Sequence, residues 1–131
     1  MKSLVAGVLF LIAFMPVAQA DGPPQYMKDS LPEHALMDVL KGYGVLKGEG
    51  ASIDAKTREM IALGVAAQIP CEYCVYSHTE RLRKLGASAN EIKEAVAISG
   101  YIRLFSTLLN GNPDLDWDKF TAEFDKALAA N

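Results

Sequence analysis

Two runs of helical periodicity meet at Ile69-Pro70, and the next residue is a cysteine. Proline has no amide hydrogen and clashes with the preceding turn, so it ends one helix and is tolerated only at the start of another. The stretch Glu59 to His78, EMIALGVAAQIPCEYCVYSH, therefore predicts a helix up to Ile69, a break, and a second helix from Pro70 onward. If the two fold back as an antiparallel hairpin, residues equally far from the break lie level. Glu59 is ten residues before Ile69 and His78 nine after it, so the two side chains are expected to meet.

This stretch holds both cysteines of the chain and one of its two histidines. Cys71, Cys74 and His78 follow one another at i, i+3 and i+7, which places them on one helical face. The expected order is Glu59–His78–Cys74: a carboxylate orients an imidazole, and the imidazole takes a proton from a thiol. A cysteine needs such help because the thiolate is the nucleophile and a free thiol is mostly protonated at neutral pH. The helix N-terminus at Pro70 adds partial positive charge near Cys71. The pattern points to a dithiol redox site.

The same residues admit other readings. A buried cysteine pair packs as two small hydrophobes, and that is the bland alternative. A closed zinc site wants four ligands, and no second CxxC or HxxxH is present. A c-type haem needs histidine directly after the second cysteine, where Val75 stands. A thioredoxin domain sets its CxxC after a strand, and no strand pattern precedes this one.

The spacing Glu59, eleven residues, Cys71, two residues, Cys74, three residues, His78 resembles the signature of the AhpD-like alkylhydroperoxidases, in the carboxymuconolactone decarboxylase superfamily. The resemblance covers roughly Leu36 to Ala129. It implies an all-helical fold, oligomers built from trimers (a homo-oligomer, trimer or hexamer), and thiol-dependent reduction of peroxides. By the same resemblance Cys74 is the attacking thiol, Cys71 its disulfide partner, and Glu59 and His78 the proton relay. The chain departs from the better-known peroxidase of the family at Tyr73, where that enzyme has a histidine. The decarboxylase branch lacks the paired cysteines.

Met1 to Ala20 reads as a signal peptide: Lys2, an apolar run from Leu4 to Met15, then Pro16 and the small-x-small triplet Ala18-Gln19-Ala20. Cleavage is expected between Ala20 and Asp21. The apolar run is short for a membrane span, although an uncleaved anchor is an alternative. The expected location is outside the cytoplasm, periplasmic or secreted, where disulfides persist. A four-residue loop constrains the unfolded chain little, so a redox role suits the pair better than a structural staple.

Residues 21–131 are the length of one domain and are read as one. The full chain has 13 Lys and Arg against 16 Asp and Glu, with no basic cluster, which argues against nucleic acid as a partner. Residues 21–29, with Gly22, Pro23 and Pro24, read as a flexible lead-in. Ser30 is expected to cap a first helix with Pro32 in its first turn and Leu36, Met37, Val39 and Leu40 on its apolar side; His34 is expected at the surface. Gly42 to Gly50 reads as a helix end and loop. Asp54 is expected to cap a second helix whose Met60, Ile61, Leu63 and Val65 supply core, while Gly64 lets a neighbour approach.

The third helix is expected from Cys71 to about Leu85, ending at Gly86, with Arg81, Arg83 and Lys84 suiting the helix dipole. Ser88-Ala-Asn-Glu91 is a capping box that starts a fourth helix running to about Asn110. That helix is apolar on more than one side, which predicts a second subunit against it. Gly111-Asn-Pro113 breaks the chain, and Asp114 or Asp116 starts a last helix with Trp117, Phe120, Phe124 and Leu128 on one side.

The reading is an all-α protein of about five helices, working as an exported thiol peroxidase. Its partners are a hydroperoxide and a thiol reductant, and it needs no cofactor and no metal. Thiol–disulfide exchange without peroxide, lactone decarboxylation and a binding role with idle cysteines are the alternatives.

Overall fold

The structure is a computed structural model and describes residues 22–130. The expected signal peptide, Met1 to Ala20, lies outside the described residues. All regular structure among these residues is helical: α1 (Gln25–Ser30), α2 (Glu33–Val45), α3 (Ala55–Gln68), α4 (Glu72–Lys84), α5 (Ala89–Asn110) and α6 (Trp117–Ala129). The chain is all-α, with one helix more than expected. It divides after Leu46 into two compact units.

The first unit corrects the reading of the lead-in. Residues 25–30 form a short helix, and Ser30 closes it by donating from its hydroxyl to the Tyr26 carbonyl. Ser30 therefore caps nothing downstream. Pro32, not Ser30, holds the N-cap position of α2, and Glu33 supplies the negative charge of the first turn. Leu36 is the buried residue of α2, whereas Met37 and Val39 are exposed. His34 is at the surface as expected. The helix continues through Gly42 and Gly44 before ending at Val45.

The second unit is built on α3, which packs against both α4 and α5. Asp54 caps α3 by accepting from the Thr57 amide at 3.0 Å, and the Thr57 hydroxyl beside it holds the Asp54 carboxyl below its usual range. Leu63 of α3 and Leu82 of α4 are fully buried, with Ala66 beside them. At Gly64, an added Cβ would stand 3.4 Å from the Ser99 Cβ of α5, so the missing side chain lets the two helices approach. Gln68 donates to the Ser99 hydroxyl at 3.1 Å, and Arg103 donates to the Gln68 carbonyl at 3.3 Å, tying the same pair together.

Two core expectations fail. Ile61 and Val65 are about half exposed, and they line an open apolar groove between α3 and α5 with Ile98 and Ile102. The cause is helical phase: α3 turns Leu63 and Ala66 inward, and Ile61 and Val65 sit on its other side.

The helix ends follow the sequence signals. Gly86, at φ +75°, ends α4, with Gly86 N–H bonded to the Arg83 carbonyl and Ala87 N–H to the Leu82 carbonyl. Ser88 and Glu91 make the reciprocal capping box of α5. Lys56 of α3 also grips Glu91 at 2.6 Å, and this contact with the capping bonds lowers the Glu91 carboxyl from its ordinary 4.5 to about 2. Asp116 caps α6. Neither α5 nor α6 has a buried residue. On α6, Trp117 lies tilted against Phe120 and Phe120 stacks on Phe124 along one side, and Trp117, Phe124 and Leu128 are exposed.

Candidate functional site

The break at Pro70 brings α3 and α4 together as a hairpin, as the spacing predicted. His78 Nδ1 lies 2.6 Å from Glu59 Oε2. Glu59 is only 6% exposed, the one buried charged residue among those described. A buried carboxylate is costly unless its oxygens find partners. Both do: Arg81 Nη1 stands 3.6 Å from Glu59 Oε1, on the other side from His78. Since a carboxylate only accepts, the ring hydrogen bond to Glu59 is donated from His78 Nδ1–H, and in the neutral imidazole Nε2 is then the acceptor.

Arg81 is the residue that sequence reasoning missed. Its charge was assigned to the helix dipole, with Arg83 and Lys84. The signal was available: Arg81 is at i+3 from His78, on the same face, and a helix that turns His78 toward Glu59 also brings Arg81 there. Arg83 pairs with Glu80 instead.

The Cys71 and Cys74 sulfurs lie 2.04 Å apart, at disulfide-bonding distance. Cys71 is not inside the helix. It is the N-cap of α4, with extended backbone, and its Sγ accepts from the Cys74 amide at 3.3 Å. Cysteine thus takes the position in which serine or aspartate usually satisfies a free helical N–H. Pro70 correspondingly precedes the cap and does not occupy the first turn. Cys74 is inside the first turn, and His78 follows it at i+4, a spacing that sets Cβ atoms roughly 5–6 Å apart. The four residues Glu59, Cys71, Cys74 and His78 therefore sit along one hairpin, with both sulfurs partly buried.

Chemically this arrangement joins a two-electron store, the sulfur pair, to a buried acid–base pair. Tyr73, between the cysteines, is 81% exposed and takes no part in the hydrogen bonding around Glu59. Among the described residues no group of three or more His, Cys, Asp or Glu side chains converges to hold a metal ion. No described helix is long and apolar enough to cross a membrane.

A family model described as the carboxymuconolactone decarboxylase family matches residues 34–111, more than half of the chain. An uncharacterized protein of Haemophilus influenzae is 42% identical over 45 residues, 34% of this chain and 40% of that protein. The "uncharacterized protein 4 in cox locus" of Paracoccus denitrificans is 30% identical over 71 residues, 54% of this chain and 63% of that protein. The chain thus spans less than two thirds of either relative. No solved structure matches it.

Proposed function

We propose that this chain, which belongs to the carboxymuconolactone decarboxylase family, is a thiol-dependent peroxidase that reduces hydroperoxides through a dithiol–disulfide cycle at Cys71 and Cys74. The observation that carries the reading is the pair of buried Glu59 and half-buried His78, set one turn from Cys74 in a chain whose two sulfurs are within bonding distance.

In the reduced protein His78 Nε2 takes the Cys74 proton, and Glu59, itself held by Arg81, orients the imidazole and balances its charge. The Cys74 thiolate attacks the terminal oxygen of the hydroperoxide. The O–O bond breaks, Cys74 becomes a sulfenic acid, and the departing alkoxide takes the proton from His78. Cys71 then attacks the sulfenic sulfur; the S–S bond forms and water leaves. A dithiol reductant restores the pair by exchange.

The same reading includes a homo-oligomer, trimer or hexamer, and export to the periplasm or beyond. Assembly is supported by the exposed Ile98, Ile102, Phe105 and Leu108 on α5 and by the aromatic side of α6. Export is supported by the pattern of Met1 to Ala20. Thiol–disulfide exchange without peroxide is the second reading, favoured by the placement of Cys71 as helix cap.

The test is consumption of hydrogen peroxide and an organic hydroperoxide by the mature chain with a dithiol, beside Cys71→Ser and Cys74→Ser. Turnover is expected in the wild type and lost in both variants. Dithiol oxidation by exchange with another disulfide, with no peroxide consumed, selects the second reading. Activity on a lactone substrate that survives Cys74→Ser overturns both.

A further inference from the structure

The two sulfurs do not face the same surroundings. A cavity of about 570 Å³ opens beside the pair, and Cys71 lines it. Cys74, His78 and Glu59 do not. Its walls are Ala67 and Pro70 on one side of the break and Val75, Tyr76 and Thr79 on the other, with the Glu80–Arg83 ion pair beyond them. Tyr76 is 71% exposed, so the groove is open to solvent.

A thiolate attacks a disulfide in line with the S–S bond, so the approach route decides which sulfur it joins and which one leaves. Either sulfur has help as a leaving group. A departing Cys74 thiolate has His78 one turn away to relay a proton from solvent, and a departing Cys71 thiolate has the Cys74 amide at 3.3 Å. Leaving-group chemistry therefore does not choose between them, and access does.

We infer that the reductant is a thiol that enters this groove and attacks Cys71 Sγ, so that the two sulfurs divide the cycle, Cys71 receiving the reductant and Cys74 reacting with the oxidant. The inference rests on the redox reading above and adds the site of reductive entry to it. The incoming thiol loses its proton to solvent and its sulfur bonds to Cys71 Sγ; the Cys71–Cys74 bond breaks, and Cys74 leaves as a thiolate that is protonated from solvent, His78 Nε2 taking up that proton and passing it on. The second thiol of the reductant then attacks its own sulfur in the mixed disulfide. The reductant departs as a disulfide, two electrons poorer, and Cys71 is released as a thiolate held by the Cys74 amide. The shared chemistry is a thiol on a narrow stem, whether a small dithiol or a dithiol carried on a protein.

Regiochemistry tests this directly. The oxidised wild-type chain is mixed with cysteamine, or in a second arm with a reduced thioredoxin whose resolving cysteine is replaced by serine. The reaction is acid-quenched at short times, free thiols are alkylated, and peptides are read by mass spectrometry. The expected product carries the probe on Cys71 and the alkyl group on Cys74, and the arm that reacts faster names the source of the thiol. The probe on Cys74, or spread evenly over both, overturns the inference but leaves the peroxidase reading standing. An intact disulfide with no adduct in either arm overturns the redox reading and this inference with it. Thr79→Trp, which fills the groove, is expected to slow adduct formation on the order of tenfold or more by misplacing the incoming thiol. It should leave oxidation of the pre-reduced chain by hydrogen peroxide unchanged; equal slowing of both half-reactions overturns the proposal.

Discussion

The α3/α4 hairpin and the α5–α6 segment are both helical and both rich in apolar side chains, yet they end in opposite conditions. The hairpin contains the two fully buried large side chains, Leu63 and Leu82, and a buried carboxylate with a partner on each oxygen. Along α5 and α6, Ile98, Tyr101, Ile102, Phe105, Leu108, Trp117 and Phe124 all remain open to solvent. Glu59, His78 and the two sulfurs thus meet on one hairpin, while these apolar side chains of α5 and α6 have no cover among the described residues. Monomeric proteins rarely expose large apolar patches, and this is the ground on which the proposed oligomer rests. The contrast separates what should fail in a single chain from what should fail only in an assembly.

The largest expected effect breaks the hairpin. Leu63→Ala removes a fully buried side chain between α3 and its neighbours and is expected to cost about 2–5 kcal/mol. Denaturant unfolding at several protein concentrations should show a loss that does not depend on concentration.

Next in size is a change that keeps the hairpin and silences its charge. Glu59→Gln retains the shape of the side chain but removes the charge that orients His78 and faces Arg81. Peroxide turnover is expected to fall by about 10²-fold, in the range of a lost acid–base contribution. Mass spectrometry of the resting protein should still find the sulfurs paired, and an unchanged rate would remove Glu59 from the relay.

Ile102→Asp addresses the other region. The side chain is 64% exposed on α5, so unfolding of the dilute chain should move by no more than about 0.5 kcal/mol. Light scattering should instead show the assembled mass of the wild type falling toward that of one chain. A wild-type protein that is already monomeric would refute the proposed oligomer.

The smallest effect is at the junction of α3 and α5. Lys56 and the capping bonds hold the Glu91 carboxyl near 2, below its ordinary 4.5. A folded value below the unfolded one stabilises the fold above pH 4.5, and the contribution is lost as pH falls toward 2. The stability gap between wild type and Glu91→Gln should accordingly be full at neutral pH, narrow through that window and close at its acid end. Glu91 is exposed and screened, so acid titrations at low salt are the sensitive measurement.

Much of this was legible along the chain. The capping box at Ser88 and Glu91, the Asp54 and Asp116 caps and the glycine stop at Gly86 are local signals, in which each residue satisfies backbone groups within a turn of itself. The meeting of Glu59 and His78 was also readable, because an antiparallel hairpin about a known break converts sequence distance into spatial level. Ser30 misled because a serine before a proline suits either the end of one helix or the start of the next. Its hydroxyl went backward to Tyr26.

The amino-acid order by itself determined the four helices from α3 to α6, most of their ends and the placement of the acid, the imidazole and the two sulfurs on one hairpin. Those outcomes depend on backbone geometry and on contacts that repeat every turn. Only the tertiary structure decided that Arg81 takes the second oxygen of Glu59, that Ile61 and Val65 face outward, and that a groove opens at Cys71 and not at Cys74. Each of these depends on the rotation of one helix against another, and a shift of a single residue position, about 100° on a helix, reverses it.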